Sequence, residues 1–466
     1  MENKVKCYSS PDRYVVIPRK DWYIFFDPVH FSYTRVNEHG KSILEAVGKE
    51  SSPHEVAERV AEKYRLEPAE IEDQVSEFLE NMTSTRFLHK GTYKPEIEEM
   101  PDINNSKPKS MYVHPTFRCN LRCIYCYNKK ERKESGGSEL TTEEWFDCFD
   151  QARDFGIEDI VFTGGEPLLR RDIIELGRYV NDKGMSCQLL TNGVLINEDN
   201  IGEIASTFGA VKLSLDSHIK ENNDFHRGDG SYESTIKAIT LLVENEVPWS
   251  LTAVITKRNV RDIPGLHKFL LDRFGDMNVT PNLFIPPSRD QVDLLPELDA
   301  YLQAMEEANG IADAYYGEDK VSLLDFYGVW KRQYHCGAAL GEISIAPDGS
   351  VYPCQALQQK EFLAGNIKDM PLKEIYYNAA SMKKVRSCLV DNIETCRDCD
   401  MKYLCGGGCR SLAYNLYGEI DCHNAFSCEY LKKLAQNILW NSSCIPIDQL
   451  KKLQEDRSRK KIKSIT

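Results

Sequence analysis

The sequence predicts an α/β protein, and three observations carry that class. Short apolar runs alternate with amphipathic helical stretches from residue 110 to residue 284, the pattern of parallel β/α units. Residues 12–36 alternate in a β-like way and lead into three helical segments, a small α+β block of their own. Beyond residue 335 the cysteines fall into short spacings, as metal-bound loops do.

Length and composition set limits before any motif is read. A chain of 466 residues allows about three domains. Its 41% hydrophobic and 28% charged content is that of ordinary folded cores. A formal net charge of -14 argues against a phosphate-backbone binder, since such binding rests on clustered Lys and Arg; nucleic acid is not an expected partner. Met1 to Pro11 holds no apolar export core, and no later run is long enough to span a bilayer. No membrane partner and a cytoplasmic location are therefore expected. In a reducing compartment, 16 Cys in short spacings favour metal sites over disulfides. Cys7, Cys148, Cys187, Cys388 and Cys444 lie outside the groupings and read as packing residues; Cys148 shares a helical face with Trp145, Phe149 and Ala152.

Within residues 1–95, strands are expected at Tyr14 to Ile17, Trp22 to Phe26 and Val29 to Val36, with a turn at Asp27-Pro28. Helices follow near Glu38 to Val47, Pro53 to Tyr64 and Pro68 to Asn81, the second opened by Ser52 as N-cap with Pro53 in its first turn. Ile71, Val75, Phe78 and Leu79 make the third amphipathic. Residues 96–109 have a linker's composition. The unit 110–310 then offers strands at 110–115, 158–162, 186–191, 210–215, 249–255 and 277–284, separated by helices. Helical residues such as Leu298 to Ala308 and a bridge at 311–335 lead to the Cys-rich unit, 336–445, and a charged tail, 446–466.

The chemistry centres on Cys119, Cys123 and Cys126, a C-x-x-x-C-x-x-C run after the first β/α strand. Three thiolates on a four-iron cubane leave one iron without a protein ligand, where a small molecule can be coordinated and reduced. A zinc knuckle is the structural alternative. The spacing, with Tyr125 just before the last Cys and Thr163-Gly164-Gly165-Glu166-Pro167 closing the second strand, resembles the radical SAM superfamily. That resemblance implies a partial (β/α)6 barrel with one open side, and catalysis by a [4Fe-4S] cluster on Cys119, Cys123 and Cys126. It also implies S-adenosylmethionine contacts from Tyr125, from the turn Gly164, Gly165, Glu166 and Pro167 to the methionyl amino group, and from Thr191, Asn192, Ser214, Asp216 and Arg227 to ribose and carboxylate. Active residues of β/α barrels lie at C-terminal strand ends, and His226-Arg227 is expected in the loop after the fourth strand.

Downstream, Cys336 and Cys354 flank a hairpin signal at Pro347 to Ser350, followed by Cys396, Cys399, Cys405, Cys409, Cys422 and Cys428. This string is similar to the SPASM auxiliary-cluster domain, with a zinc site as its alternative. The resemblance implies an outer [4Fe-4S] cluster on Cys396, Cys399, Cys405 and Cys428 and an inner one on Cys336, Cys354 and Cys409, making three clusters in all. The sulfatase-maturing branch has a further Cys shortly after the first; residues 337–353 have none. The inner fourth iron is then open, with Cys422 as the alternative ligand. That branch also has an acidic base after the Cys equivalent to Cys354, where this chain has the neutral Gln355, which makes formylglycine formation an unfavoured expectation.

The N-terminal block resembles the PqqD-like, winged-helix recognition domain of ribosomal-peptide maturation systems, in which a leader peptide adds a strand to the sheet edge. Phe31 to Arg35 and Ile71 to Phe78 would form that groove. Together the three units resemble a maturase of ribosomally made peptides, closest to sactipeptide synthases. The implied reaction joins a Cys thiol to carbon as an intrapeptide thioether, on a precursor peptide held by its leader, with electrons from a donor such as flavodoxin or ferredoxin. Carbon-carbon crosslinking, epimerisation or sulfatase-type oxidation are the enzymatic alternatives; an iron-sulfur electron carrier is the non-enzymatic one.

Overall fold

In the strand Trp22–Asp27, side chains alternate between two faces, and from Ile24 onward both faces are buried. The computed structural model describes residues 7–93, 100, 102–129, 138–316, 332–422 and 425–441. In it, β1 (Tyr8–Ser9) pairs with β5 (His89–Lys90), and β2 (Val15–Arg19), β3 (Trp22–Asp27) and β4 (Ser32–Asn37) form an antiparallel sheet in that order. Phe25 and Val36 point to the block's own helices, Glu38–Ala46, Pro53–Tyr64 and Pro68–Ser84, and share a core with Leu44, Val56 and Leu79. Ile17, Ile24, Phe26 and Tyr33 occupy the other face and pack on Met401 and Leu439 of the C-terminal unit. Arg13 pairs with Asp400 at 2.5 Å and Arg35 donates to the Trp440 carbonyl at 2.7 Å across the same junction.

The middle of the chain forms six parallel strands in sequential order: β6 (Ser110–Val113), β7 (Asp159–Phe162), β8 (Ser186–Leu190), β9 (Ala210–Ser214), β10 (Trp249–Ile255) and β11 (Val279–Leu283). Helices Thr142–Phe155, Ile173–Asp182, Ile201–Thr207, Ser231–Glu244 and Ile263–Phe274 connect them. The first begins in a capping box between Thr141 and Glu144 and ends on Gly156 at φ 97°. Its Trp145 and Phe149 are fully buried, and Phe162 carries the aromatic packing on to Phe208, with ring centroids 5.9 and 5.7 Å apart along Phe149, Phe162 and Phe208.

The sheet does not stop at the barrel. β12 (Glu342–Ile345) adds in parallel beside β6, and β13 (Ser350–Tyr352) and β14 (Gly365–Asn366) extend it antiparallel to nine strands. The Cys-rich unit therefore grows from the barrel's own edge. His226 and Arg227, expected in a loop, sit instead in the last turn of a helix, Lys220–Arg227. That segment lacks an apolar period; its end is fixed by Asp224, which accepts from the Tyr232 and Gly230 amides at 2.8 and 3.2 Å and from the Ser231 hydroxyl at 3.0 Å. The helix at Leu298 runs on to Tyr316. Residues 446–466 and Cys444 lie outside the described residues. No helix of the described residues is long and apolar enough to cross a membrane.

Candidate active site and cluster sites

The segment from Thr116 to Cys126 follows β6 and crosses the C-terminal ends of the strands. The Gly165 amide donates to the Thr116 carbonyl at 2.9 Å and the Glu166 amide to the Arg118 carbonyl at 2.8 Å. A Cβ on Gly165 would lie 2.1 Å from the Arg118 oxygen, and one on Gly164 2.5 Å from that of Thr116. These glycines thus let the Gly-Gly-Glu-Pro turn lie directly on the thiol loop. Pro167 is buried at the start of the next turn. Asn192 donates through Nδ2 to the Asn120 side chain at 2.8 Å and reaches the Cys119 sulfur at 3.9 Å. The Cys123 thiol faces the Arg227 carbonyl at 3.9 Å, and the Ile124 amide donates to the His226 carbonyl at 3.0 Å.

Glu166 is fully buried. It accepts from the Thr191 hydroxyl at 2.7 Å, the Asn192 amide at 2.9 Å and the Leu168 amide at 3.2 Å, while burial pushes its carboxyl up. A carboxylate held this way is suited to an incoming ammonium group. Asp216, just past β9, accepts from the Val254 amide at 2.9 Å and from the Tyr125 hydroxyl. Arg227 donates to the same hydroxyl at 2.8 Å and lies 3.5 Å from Asp216. Burial pushes the Tyr125 phenol well up. The Arg227 Nε is buried without a hydrogen-bond partner among the described residues, a donor that a ligand carboxylate would satisfy. The turn with no room for a Cβ, the buried carboxylate and the orphaned guanidinium nitrogen together fit S-adenosylmethionine. Thr191 and Asp216 spend their hydrogen bonds orienting Glu166 and Tyr125, while Ser214 ends β9 beside them.

Next to the thiol loop lies a cavity of about 780 Å3, lined by Cys126, Tyr127, Asp290, Gln359, Tyr414 and Tyr417 among others. Tyr127 donates to the Gln355 Oε1 at 3.3 Å, so the first cluster loop and the segment after Cys354 share one wall. Tyr127, Asn120 and Asn128, which binds the Gly164 carbonyl at 3.0 Å, carried no signal in the sequence beyond adjacency to the cysteines.

Cys396, Cys399, Cys405 and Cys428 line a single second cavity, which brings together all four thiols expected of the outer site. In the inner group, Cys354 and Cys336 each interact electrostatically with Cys409. Burial pushes Cys405 and Cys409 each up to about 11 and Cys354 well above its ordinary value. Burial also acts to raise Cys336, but the neighbouring His335 carries it below the ordinary thiol range. Buried thiols ionise when a bound cation stabilises the thiolate, and sulfur-only sets of this kind suit iron-sulfur clusters. Cys422 bonds the Glu419 carbonyl at 3.5 Å, beside Arg410. Cys388, read as packing, lies within electrostatic reach of Cys336 and 3.9 Å from Arg410.

The chain matches three family models: the radical SAM superfamily over residues 113–270, the SPASM iron-sulfur cluster-binding domain over 336–400, and coenzyme PQQ synthesis protein D over 23–88. It is 28% identical over 336 residues to the PqqA peptide cyclase of Granulibacter bethesdensis, covering 67% of this chain and 85% of that one. It is 27% identical over 367 residues to the Fe-coproporphyrin III synthase of Methanosarcina barkeri, covering 70% and 90%. Among solved structures, anSMEcpe with bound AdoMet aligns with a TM-score of 0.60 at 22% identity, over 71% of this chain and 100% of that one. SuiB of Streptococcus suis bound to S-adenosylmethionine aligns with a TM-score of 0.56 at 18% identity, over 90% and 99%. The chain thus carries a radical SAM domain, with a SPASM domain after it and a PqqD-like domain before it.

Proposed function

We propose that this protein modifies a ribosomally made precursor peptide, joining Cys thiols of the peptide to carbon as intrapeptide thioethers. The observation that carries the proposal is the cavity shared by Cys126 and Tyr127 of the first thiol loop and by Gln359 and Tyr414 of the C-terminal unit. It offers a peptide segment access to both sides at once. Bound at Glu166 and Arg227, S-adenosylmethionine would supply, on reductive cleavage, a radical able to take hydrogen from carbon. Cys119, Cys123 and Cys126 would hold the cluster that delivers the electron, drawn from a donor such as flavodoxin or ferredoxin. Cys396, Cys399, Cys405 and Cys428 would hold the outer auxiliary cluster, and Cys336, Cys354 and Cys409 the inner one, giving three clusters. The neutral Gln355, already accepting from Tyr127, lacks the basicity of a carboxylate for oxidising a Cys or Ser side chain to an aldehyde. The PqqD-like domain would hold the leader at the edge of β4, and the protein would act in the cytoplasm.

A second reading, carbon-carbon cyclisation, is favoured by the similarity to a PqqA peptide cyclase. Coexpression with the cognate precursor separates the two. Thioether formation removes two hydrogens for each bridge and protects the bridged Cys from alkylation, while disulfide reductants leave the product unchanged. Replacing that Cys with Ser abolishes the mass loss, because an alcohol is a poorer nucleophile and soft-metal ligand. A product that has lost hydrogens but whose Cys residues all alkylate identifies cyclisation through carbon.

A further inference from the structure

Cys354 and Cys336 each lie within electrostatic reach of Cys409, and the structure sets an acidic side chain against one of the three thiols. Between β12 and β13, Ser344 pairs with Tyr352 and Ile345 with Val351. Extending that register by two residues sets Glu342 opposite Cys354, on the same face of the hairpin. The Glu342 carboxyl lies within electrostatic reach of the Cys354 thiol. Cys336 is brought there as well. The loop after it folds back on itself, with the Gly341 and Leu340 amides donating to the Gly337 carbonyl at 2.8 and 3.0 Å and the Ala339 amide to those of Pro353 and Glu342 at 2.7 and 3.0 Å. A bridge between Ala338 and Glu342 closes it. Glu342 thus stands between the segments that carry Cys336 and Cys354. Tyr112, on the neighbouring strand β6, lies within electrostatic reach of both Glu342 and Cys354.

We propose that the Glu342 carboxylate is the fourth protein ligand of the inner cluster, one oxygen donor among three thiolates. The proposal rests on Cys336, Cys354 and Cys409 being cluster ligands and is independent of which product the enzyme makes. A thiolate at Cys354 and a carboxylate at Glu342 repel each other in a half-buried site. An iron between them turns that repulsion into two bonds. Cys422 is a poorer candidate, because its thiol is turned to the Glu419 carbonyl. An oxygen ligand is harder than the sulfur it would replace and is more readily displaced from iron by an incoming thiolate. A peptide Cys would then reach this iron by displacing Glu342, and in the absence of peptide the cluster would be fully ligated.

The test uses the full chain carrying Cys119→Ala, Cys123→Ala and Cys126→Ala, reconstituted anaerobically so that only auxiliary clusters contribute. In this parent, mild oxidation should leave the iron content and the electron paramagnetic resonance of the inner cluster intact. Glu342→Gln, nearly isosteric but a poor iron ligand, should lose about one iron per chain on the same oxidation and acquire a three-iron signal. Glu342→Cys should restore resistance, with a spectrum altered by the change of donor. A Glu342→Gln protein that matches the parent in iron content and spectrum overturns the proposal. Should that variant not accumulate, Glu342→Cys decides, since a spectrum identical to the parent's excludes ligation at this position. In the same background, Cys354→Ala tells the two levels apart. If it leaves the inner-cluster signal unchanged, the assignment of the thiols fails; if it abolishes the signal while Glu342→Gln is silent, only the carboxylate ligand fails.

Discussion

Arg227 donates through Nη1 to the Tyr125 hydroxyl at 2.8 Å, joining the last turn of a helix after β9 to the residue before Cys126. Asp216 accepts from the same hydroxyl. The Tyr125 ring is thereby held between a strand end and a helix end and packs 5.9 Å from His226 and 6.3 Å from Phe284. The cluster loop inherits its position from side chains that lie about a hundred residues downstream.

Substituting the two partners should have unequal effects on cofactor binding. Arg227→Met removes the buried guanidinium at the proposed carboxylate site, and charge-assisted hydrogen bonds contribute about 1.5–3 kcal/mol, so affinity for S-adenosylmethionine should fall roughly 10- to 100-fold. Tyr125→Phe keeps the ring, and Asp216 keeps the Val254 amide; the loss should be about fivefold. Equilibrium dialysis on reconstituted protein measures both. Similar small losses for the two variants would remove Arg227 from the carboxylate site.

Gly165 and Gly202 offer a contrast in backbone packing. A Cβ at Gly165 meets the Arg118 and Phe117 carbonyl oxygens at 2.1 and 2.5 Å, whereas at Gly202, inside the helix Ile201–Thr207, it meets nothing within 4 Å. Gly165→Ala should cost at least about 3 kcal/mol or displace the thiol loop, with loss of the first cluster's iron. Gly202→Ala should be stabilising by about 0.4–1 kcal/mol. Thermal melts and iron analysis give both answers, and equal melting temperatures would contradict the contact between turn and loop.

The thiol sets should divide into two phenotypes. Cys119→Ala, Cys123→Ala and Cys126→Ala should each abolish formation of 5′-deoxyadenosine. Cys396→Ala or Cys405→Ala should spare part of it while ending peptide modification, because the outer thiols line a cavity of their own. Chromatography of the nucleoside products decides, and wild-type turnover in the first set would sink the radical assignment.

Local signals account for what could be read in the sequence. The helix Thr142–Phe155 was visible through the apolar period of Trp145, Cys148, Phe149 and Ala152, and the barrel strands through their Ile, Val and Leu runs. The six-strand order followed because each strand pairs with its neighbour in sequence. What escaped were contacts that cross the chain. β12 is four residues long and finds β6 more than two hundred residues earlier, a pairing with no local trace. Glu342 looked like an ordinary charged residue until the hairpin register set it against Cys354. The helix Lys220–Arg227 has a polar sequence and is secured by Asp224, a tertiary contact. Of the second buried face of β3, the alternation of Ile24 and Phe26 was readable, but not the partner that covers it.

Acid should destabilise the fold through His114. Both of its ring nitrogens are buried without hydrogen-bond partners among the described residues, beside Phe117, and burial pushes its pKa down to about 3. An unfolded His takes up a proton below about 6.5, and the folded one resists until far lower pH. Stability from this site is therefore fully present above about pH 6.5 and falls as the pH drops toward 3, by about 2 kcal/mol at pH 5. Anaerobic urea unfolding at pH 7 and pH 5 should show this loss, and His114→Leu should reduce it by that amount. Parallel losses in the two proteins would place the acid sensitivity elsewhere.

The N-terminal domain should serve two separable purposes, because its sheet has two buried faces. β4 is an edge strand, tied to the helix Pro68–Ser84 by the Thr34 hydroxyl on Met82 sulfur at 3.2 Å. Half-buried Ile71 lies on that helix, where the leader groove is proposed. Ile71→Asp should therefore weaken leader binding about tenfold, as loss of part of a buried Ile contact implies, and leave iron content unchanged. Deleting residues 1–93 does something further. It uncovers Met401 and Leu439, removes the Arg13 partner of Asp400, and strips away Ile17, Ile24, Phe26 and Tyr33 from the cluster against which Cys399 and Leu404 pack. The truncated protein should lose about four irons, those of the outer cluster, while the first thiol loop keeps its own. Iron analysis and leader-peptide anisotropy measure the two effects. Full iron content after truncation would show that the junction does not protect the outer cluster, and unchanged leader affinity in Ile71→Asp would move the recognition site off this helix.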